Sequence, residues 1–324
     1  MILVTGGAGY IGSHTVKLLK NNGYDIVVID NLSTGHKEFI KNINFVKCDL
    51  SNKALLNDIF KQYKIDVVIH FAASAYVGES ILRPDLYYRN NICNGLNLLD
   101  CMKENNVSNI IFSSSCATYG IPDRLPITEE SPQNPINPYG MTKYIFERIL
   151  SDYNRAFDIN YICLRYFNAA GADSDCDMGE WHIPETHVIP LMLESVYNQT
   201  LFSVFGNDYN TRDGSCLRDY IHVTDLSYAH LKAINYLNNS NHVNFVNLGT
   251  GDGFSVFELI KTVEQVSGKT IPLKLCTRRD GDPAELIASF ELAKIELNWE
   301  PKNSNIENII KTSCNWYKKL NNIL

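Results

Sequence analysis

The chain has 324 residues, 45% of them hydrophobic and 20% charged, with a net charge of −7. That length allows about two domains with sizeable cores, and the negative balance excludes a general nucleic-acid surface, which needs clustered Lys and Arg. The nine cysteines form no Cys-x-x-Cys pair, which argues for reduced thiols and against a disulfide scaffold or a zinc site.

The opening Met1-Ile2-Leu3-Val4-Thr5-Gly6 reads as a short strand entering a glycine loop and lacks the basic start of a signal peptide. No apolar run of about 18 residues is available to span a bilayer. A cytoplasmic protein with no membrane partner is therefore expected. Thr5-Gly6-Gly7-Ala8-Gly9-Tyr10-Ile11-Gly12-Ser13 leads into a helical pattern carried by Ile11, Val16, Leu18 and Leu19. Gly6 suits a tight turn, Gly9 lets the backbone approach a pyrophosphate, and Gly12 permits close helix packing. The helix N-terminus then offers free amides to phosphates. A second strand, Asp25-Ile26-Val27-Val28-Ile29-Asp30, ends in an acid 18 residues after Gly12. Asp30 there accepts from both ribose hydroxyls and repels a 2′-phosphate, favouring NAD over NADP.

Phe45-Val46 continues as a strand, Lys53 to Tyr63 as a helix, and Val67-Val68-Ile69-His70-Phe71 as a buried strand running into Ala72-Ala73. Asp49 is either a loop acid facing an adenine amino group or a helix N-cap. Ala72-Ala73 allows either close ligand approach or tight core packing. A long helix is expected from Pro84 to about Asn105, then a strand Asn109-Ile110-Ile111-Phe112 with Ser113-Ser114-Ser115 at its edge. Strands separated by helices of this length imply right-handed crossovers and an α/β doubly wound parallel (Rossmann) sheet, whose ligand lies beyond the C-terminal strand edges. The serines sit there, as hydroxyls for a sugar or as a polar loop.

A proline-rich loop, Pro122 to Pro138, delivers the chain to Tyr139-Gly140-Met141-Thr142-Lys143. Tyr139 and Lys143 are four residues apart and share one helix face. A phenol titrates near pH ~10 and becomes a usable base only if something favours its anion, which an adjacent ammonium does.

Beyond Tyr161-Ile162-Cys163-Leu164-Arg165-Tyr166, a sixth strand, Asn168-Ala169-Ala170-Gly171 reads as a loop leaving the sheet. Alternation then weakens, with a helix to about Tyr197 and a strand Leu201 to Phe205, and this marks a domain change. Residues 1–168 are expected to form the dinucleotide domain, with a return around 219–248, and 169–324 a smaller α/β substrate domain. Arg218 and Arg279 suit a diphosphate or, equally, surface ion pairs. Phe205 offers a face to a uracil ring. Gly249-Thr250-Gly251-Asp252-Gly253 reads as a turn.

Taken together, the glycine loop, Asp30, Ser115, and Tyr139 with Lys143 resemble the extended short-chain dehydrogenase/reductase superfamily. Val77-Gly78-Glu79-Ser80, Asn134-Pro135-Ile136-Asn137-Pro138-Tyr139-Gly140, Leu164-Arg165-Tyr166-Phe167-Asn168, Leu217-Arg218-Asp219-Tyr220-Ile221-His222-Val223 and Arg278-Arg279-Asp280-Gly281-Asp282 narrow the likeness to its UDP-glucose (UDP-galactose) 4-epimerase family. The resemblance implies Ser115, Tyr139 and Lys143 as the catalytic group, tightly held NAD, and a UDP-hexose substrate inverted at carbon 4 through a 4-keto intermediate. It implies cofactor contacts at Gly6, Gly9, Tyr10, Ile11, Gly12, Asp30, Asn31, Ser33, Thr34, Asp49 and Leu50. Further ones are Phe71, Ala72, Ala73, Asn90, Ser113, Tyr139, Lys143 and Tyr166. For the sugar nucleotide it implies Ser115, Tyr139, Asn168, His187, Val188, Phe205, Arg218, Tyr220, Arg279, Asp282 and Leu286. No metal is implied, and a homodimer through the helices beginning near Pro84 and Tyr139 is.

Two departures carry chemistry. Many epimerases have a lysine near the cofactor phosphates where this chain has Ala75, which puts one NAD contact in doubt. At Leu286, members restricted to UDP-glucose and UDP-galactose often carry tyrosine. Leucine leaves volume for an acetamido group, so UDP-N-acetylglucosamine is an expected substrate. Two alternatives fit less well. A sugar-nucleotide 4,6-dehydratase needs an Asp-Glu pair where Cys116 and Ala117 stand, and a non-catalytic NAD-binding regulator has no use for the tyrosine and lysine.

Overall fold

Alternating apolar strands and amphipathic helices in the first half build a seven-stranded, all-parallel sheet. The computed structural model describes residues 1–237, 243–279 and 281–323, so Asp280 lies outside the described residues. In chain order the sheet uses β1 (Ile2–Thr5), β2 (Ile26–Asp30), β3 (Asn44–Lys47), β4 (Val67–His70), β5 (Asn109–Ser115) and β6 (Asn160–Tyr166). The spatial order is 3-2-1-4-5-6, and a late strand, Phe245–Leu248, adds to the free edge of β6. The order reverses between β1 and β4, which opens a crevice at their C-terminal ends. Helices α1 (Tyr10–Asn21) and α2 (Lys53–Gln62) are the first crossovers. Two apolar cores, one on each face, bury Val4, Val28 and Ile69 on one side and Leu3, Val27 and Val68 on the other. Near-continuous apolar runs are what strands covered on both faces require.

Several expectations are corrected. The long helix from Pro84 is preceded by a separate turn of helix, α3 (Val77–Leu82), and runs as α4 (Pro84–Tyr87), a π-helical stretch at Tyr88–Cys93, and α5 (Asn94–Glu104). The serine triplet is not a loop. It is the last part of β5, because Ser113, Ser114 and Ser115 pair with Leu164, Arg165 and Tyr166 of β6. Asp49 does not cap α2. Asn52 does so by accepting from Leu55 N, and Asp49 instead accepts from the Asn31 amide at 2.7 Å.

After α6 (Pro138–Phe157) and β6, the residues expected to form a loop make strand β7 (Asn168–Ala170). It pairs in parallel with a later strand, Tyr220–His222. The second half also holds α7 (Val188–Asn198), β8 (Phe202–Phe205), β9 (Leu217–Arg218), β10 (Tyr220–His222) and α8 (Val223–Tyr236). The edge strand of the large sheet is β11 (Phe245–Leu248), followed by β12 (Phe254–Ser255), α9 (Val256–Ser267), β13 (Leu273–Cys276), β14 (Glu285–Leu286), α10 (Glu291–Leu297) and α11 (Ile306–Leu320). Ile189, Met192, Leu259, Val263 and Ile310 fill a third core between α7, α9 and α11. Helix α8 returns to lie on α1, where the Thr15 hydroxyl donates to Ser227 at 3.4 Å. Among the described residues no helix is long and apolar enough to cross a membrane.

Candidate active site

The glycine loop is shaped by what its missing side chains make room for. A Cβ on Gly12 would stand 2.3 Å from the Gly6 carbonyl oxygen, and one on Gly6, whose φ is +70°, would stand 2.6 Å from the Ala72 nitrogen. The loop and the end of β4 are thus pressed together at the crevice. Gly9 caps α1 with extended backbone and no side-chain cap, so the first amides of the helix remain available to an anion. Asp30 accepts from Ala8 N at 3.0 Å and Leu32 N at 2.8 Å. Burial raises its pKa while those amides work against the rise. Asn31 bridges onward, accepting from Ser33 N at 2.9 Å, with Ser33 and Thr34 exposed on the rim and Leu50 buried beneath. Phe71 and Ala72 both donate to the Thr5 carbonyl, at 3.0 and 3.1 Å. Ile11 and Phe71 pack on the edge of one core, Ala73 is half-buried, and Asn90 donates to Ser74 at 3.1 Å. Tyr10 donates to the Gly171 carbonyl at 2.5 Å, tying the loop to the second half of the chain. This cradle, open amides over close-packed glycines with an acid at the second strand's end, fits an adenine dinucleotide with a free ribose.

Across the crevice, Asn137 caps α6 by accepting from Gly140 N at 2.8 Å, with Pro138 in the first turn. A Cβ on Gly140 would stand 2.4 Å from the Ala117 carbonyl oxygen. Only glycine lets the helix start settle on the turn after β5, and this brings Tyr139 to Ser115. The Ser115 hydroxyl lies near enough to the Tyr139 phenol to favour its anion and accepts from Ala117 N at 3.2 Å. One turn on, Lys143 donates to the Ser113 carbonyl at 2.7 Å and lies 4.8 Å from the Phe112 ring centre and 5.8 Å from that of Tyr139. Ser113 and Tyr166 share a short hydroxyl–hydroxyl bond.

The electrostatics differ from the sequence expectation. Burial pushes the Tyr139 phenol up to about 12, with the Ser115 hydrogen bond opposing it, and burial brings Lys143 down to about 7, opposed by Glu147. In the protein alone the lysine does not depress the phenol, because an ammonium enclosed by apolar groups is itself disfavoured.

The sequence reading missed the support behind this pair. Glu147, fully buried, binds Arg165 through two hydrogen bonds, at 2.9 and 2.6 Å, and accepts from Ser114 at 2.6 Å. Gln133 adds a fourth bond at 2.9 Å. Its place four residues after Lys143, on the same helix face, was the available signal. Tyr87, which donates to Glu79 at 2.8 Å and lies near enough to Tyr139 to feel its charge, was missed too.

The second half brings its own candidates to two places. Arg218 donates to the carbonyls of Leu217 at 2.6 Å and Pro283 at 2.8 Å and is ion-paired with Asp282. Leu286 pairs with it in the strand register, and Tyr220 is buried nearby. Leu286 also packs with Cys116 on a cluster of Tyr119, Ile127, Phe167 and Ala288, so this group adjoins Ser115. The Arg279 guanidinium lies over Phe205, its Cζ 4.0 Å from the ring centre, on the face expected for a base. The Asn168 amide donates to the Asp219 carbonyl at 2.9 Å, so its donor is engaged within the protein. His187 caps α7 ahead of Val188 and is bonded to Glu180.

The family model described as the NAD dependent epimerase/dehydratase family matches residues 2–249. The UDP-glucose 4-epimerase of Halalkalibacterium halodurans is 48% identical over 98% of this chain and 96% of its own length. The crystal structure of UDP-glucose 4-epimerase from Brucella ovis in complex with NAD is 48% identical with a TM-score of 0.95, covering 98% of each chain. The UDP-Glc/GlcNAc 4-epimerase of Campylobacter jejuni is 40% identical with a TM-score of 0.86, covering 98% of this chain and 99% of its own.

Proposed function

This chain belongs to the NAD dependent epimerase/dehydratase family, and from that premise we propose that Tyr139 is the base and acid that serves carbon 4 of a UDP-hexose. The reaction is an isomerisation: NAD-dependent inversion at carbon 4 of UDP-glucose and UDP-galactose. The chemistry that NAD supplies is reversible hydride storage, which lets the sugar pass through a 4-keto state and return inverted with no net redox change. Gly6, Gly9, Gly12 and Asp30 would hold it.

The observation that carries the reading is the seat of Gly140 on the Ala117 carbonyl. It sets Tyr139 against Ser115 at the sheet's C-terminal edge, opposite the glycine loop. In our reading Ser115 donates its one proton to the phenolate, and Tyr139 takes the 4-hydroxyl proton and gives it back. Lys143, fixed by Ser113, orients the cofactor ribose and, in its ammonium form, favours the phenolate once cofactor and substrate fill the site. Arg218 and Arg279 meet the diphosphate, and Phe205 meets the base once Arg279 lifts from its ring. That division leaves the hexose loosely held, as exposing either face of carbon 4 requires. Residues 1–168 with the 219–248 return would carry the cofactor, and the remainder the sugar nucleotide.

The dehydratase alternative is disfavoured by chemistry as well as by sequence. Cys116 stands where an acid is needed, and burial pushes its thiol up to about 12, so it neither gives nor takes a proton near neutrality. Leu286, on the same apolar cluster as Cys116, supports acceptance of N-acetyl sugars. A homodimer is supported by Ile81 and Leu82 on α3, 61% and 81% exposed, with Tyr88 next to them at 38%. All nine cysteines are free, which supports a reducing, cytoplasmic setting.

The test is to incubate purified protein with each UDP-hexose, without added nicotinamide, and to identify products. Interconversion of the glucose and galactose forms is expected. Unchanged sugars from a folded, NAD-loaded protein would overturn the assignment.

A further inference from the structure

The segment entering α7 carries Glu180-Trp181-His182-Ile183-Pro184-Glu185-Thr186-His187, four metal-ligating side chains within eight residues. We propose that Glu180, His182, Glu185 and His187 bind one divalent transition-metal ion of the zinc class. One ligand atom from each lies within 4.8 Å of all the others. His182 Nδ1 is buried and without a hydrogen-bond partner, yet it stands 3.5 Å from Glu180 Oε1 and 3.6 Å from Glu185 Oε2. Those distances are too long for hydrogen bonds. For His182 they are the separations expected between ligands of one tetrahedral ion, since bonds of ~2.0–2.2 Å put ligand atoms about 3.4 Å apart. His187 Nδ1 is bonded directly to Glu180 Oε1 and must swing off that bond, losing its proton, to ligate.

The surroundings prepare the set. The Glu185 Oε1 atom accepts from the main-chain nitrogens of Thr186 at 2.7 Å and His187 at 2.9 Å, which fixes the carboxylate and leaves Oε2 toward His182. Trp181 stacks on His36 with ring centres 3.9 Å apart, and Trp316 Nε1 donates to the Glu180 carbonyl at 2.9 Å. The backbone is therefore held in place by contacts outside the cluster. His187 is 47% exposed and offers an entry path, while the other three side chains are at most 15% exposed. Two carboxylates and two neutral imidazoles balance a dipositive ion, and this donor set suits zinc-like metals in preference to calcium or magnesium. A second acidic cluster makes the contrast: Asp173, Asp175 and Asp177 already share the Lys17 ammonium at 2.8, 3.2 and 3.0 Å.

Four protein ligands make a closed, structural site. The His182 ring is 6.5 Å from that of Tyr10 and 5.7 Å from that of Tyr76. The ion would clip the start of α7 against the tyrosine of the glycine loop, next to the cleft but outside its chemistry. This is a site that the cysteine pattern gave no sign of.

The experiment strips the full-length protein with a strong chelator, desalts it, and adds Zn²⁺ or Co²⁺ alone. About one ion per chain should be retained, Co²⁺ should give the intense visible absorption of tetrahedral coordination, and Zn²⁺ should raise the melting temperature reversibly. The paired substitution His182→Ala with Glu185→Gln should abolish retention. Because that variant could lose its fold, the wild-type measurement also decides alone: no retained ion, or only a weak octahedral Co²⁺ spectrum, overturns the site. Equal retention by a folded variant overturns it as well.

Discussion

Lys143 donates its hydrogen bond to the Ser113 carbonyl, 2.7 Å from Nζ, and not to Tyr139. The lysine is thereby anchored to the end of a central strand, and the group whose hydrogen-bonding favours the phenolate is Ser115. A hydroxyl donating to a phenolate stabilises the anion, so removing it raises the pKa of the base. Ser115→Ala should lower kcat/KM at pH 7 by about 10- to 100-fold and recover part of the loss as pH rises. A pH profile of kcat/KM checks this, and a uniformly lowered profile with no alkaline displacement would speak against the assigned role.

Glu147→Gln should destabilise the fold through the partner left behind. Arg165 is 3% exposed and Glu147 fully buried, so the substitution leaves an enclosed guanidinium uncompensated at a cost of about 3–5 kcal/mol. Denaturant titration should show the midpoint falling with the slope unchanged. Removing both charges with apolar residues of similar volume should recover much of the loss.

Acid should weaken the protein through buried histidines. Burial lowers His14 to about 4, His70 to about 3 and His230 to about 4. Their unfolded value is near 6.5, so between these limits the unfolded chain binds more protons than the folded one and stability rises with pH. Their contribution is complete above pH ~6.5 and is lost as pH falls toward the folded values, about 2 kcal/mol per histidine at pH 5. Urea midpoints measured from pH 7.5 to 5 should fall, and His230→Gln should flatten the slope.

Leu286→Tyr should narrow the substrate range. Leu286 packs on the same cluster as Cys116, the residue after Ser115, so a ring and hydroxyl there would occupy the volume proposed for an acetamido group. Turnover of UDP-N-acetylglucosamine should fall at least 10-fold while UDP-galactose changes little, the usual scale of a steric pocket effect. Parallel loss of both would show that Leu286 supports the fold without selecting the substrate.

The first half of the fold was legible because the apolar runs of β1, β2 and β4 are covered on both faces and Gly6, Gly12 and Gly140 stand where a Cβ has no room. The second half was less so. Asn168 to Ala170 looked like a loop because a three-residue strand carries too little pattern to announce its partner, and that partner, Tyr220 to His222, lies about 50 residues away. Ser113 to Ser115 looked like loop residues because polar composition outweighed the pairing with β6. At the site, the helical spacing of Tyr139 and Lys143 is by itself weak, and it became legible only beside the glycine loop, Asp30 and Ser115. The cost of burying both was not, since desolvation is a property of the packed surroundings. Glu147 and Arg165 escaped notice for the same reason: nothing local marks a charge pair as buried.

The most direct measurement compares Tyr139→Phe with the wild type for conversion of UDP-galactose to UDP-glucose, alongside NAD content. The substitution keeps the ring and removes only the oxygen, so NAD should remain bound while turnover falls by about 10²- to 10⁴-fold, the usual worth of a general base. Turnover within a few-fold of the wild type, at full NAD content, would contradict the central claim that this phenol moves the proton.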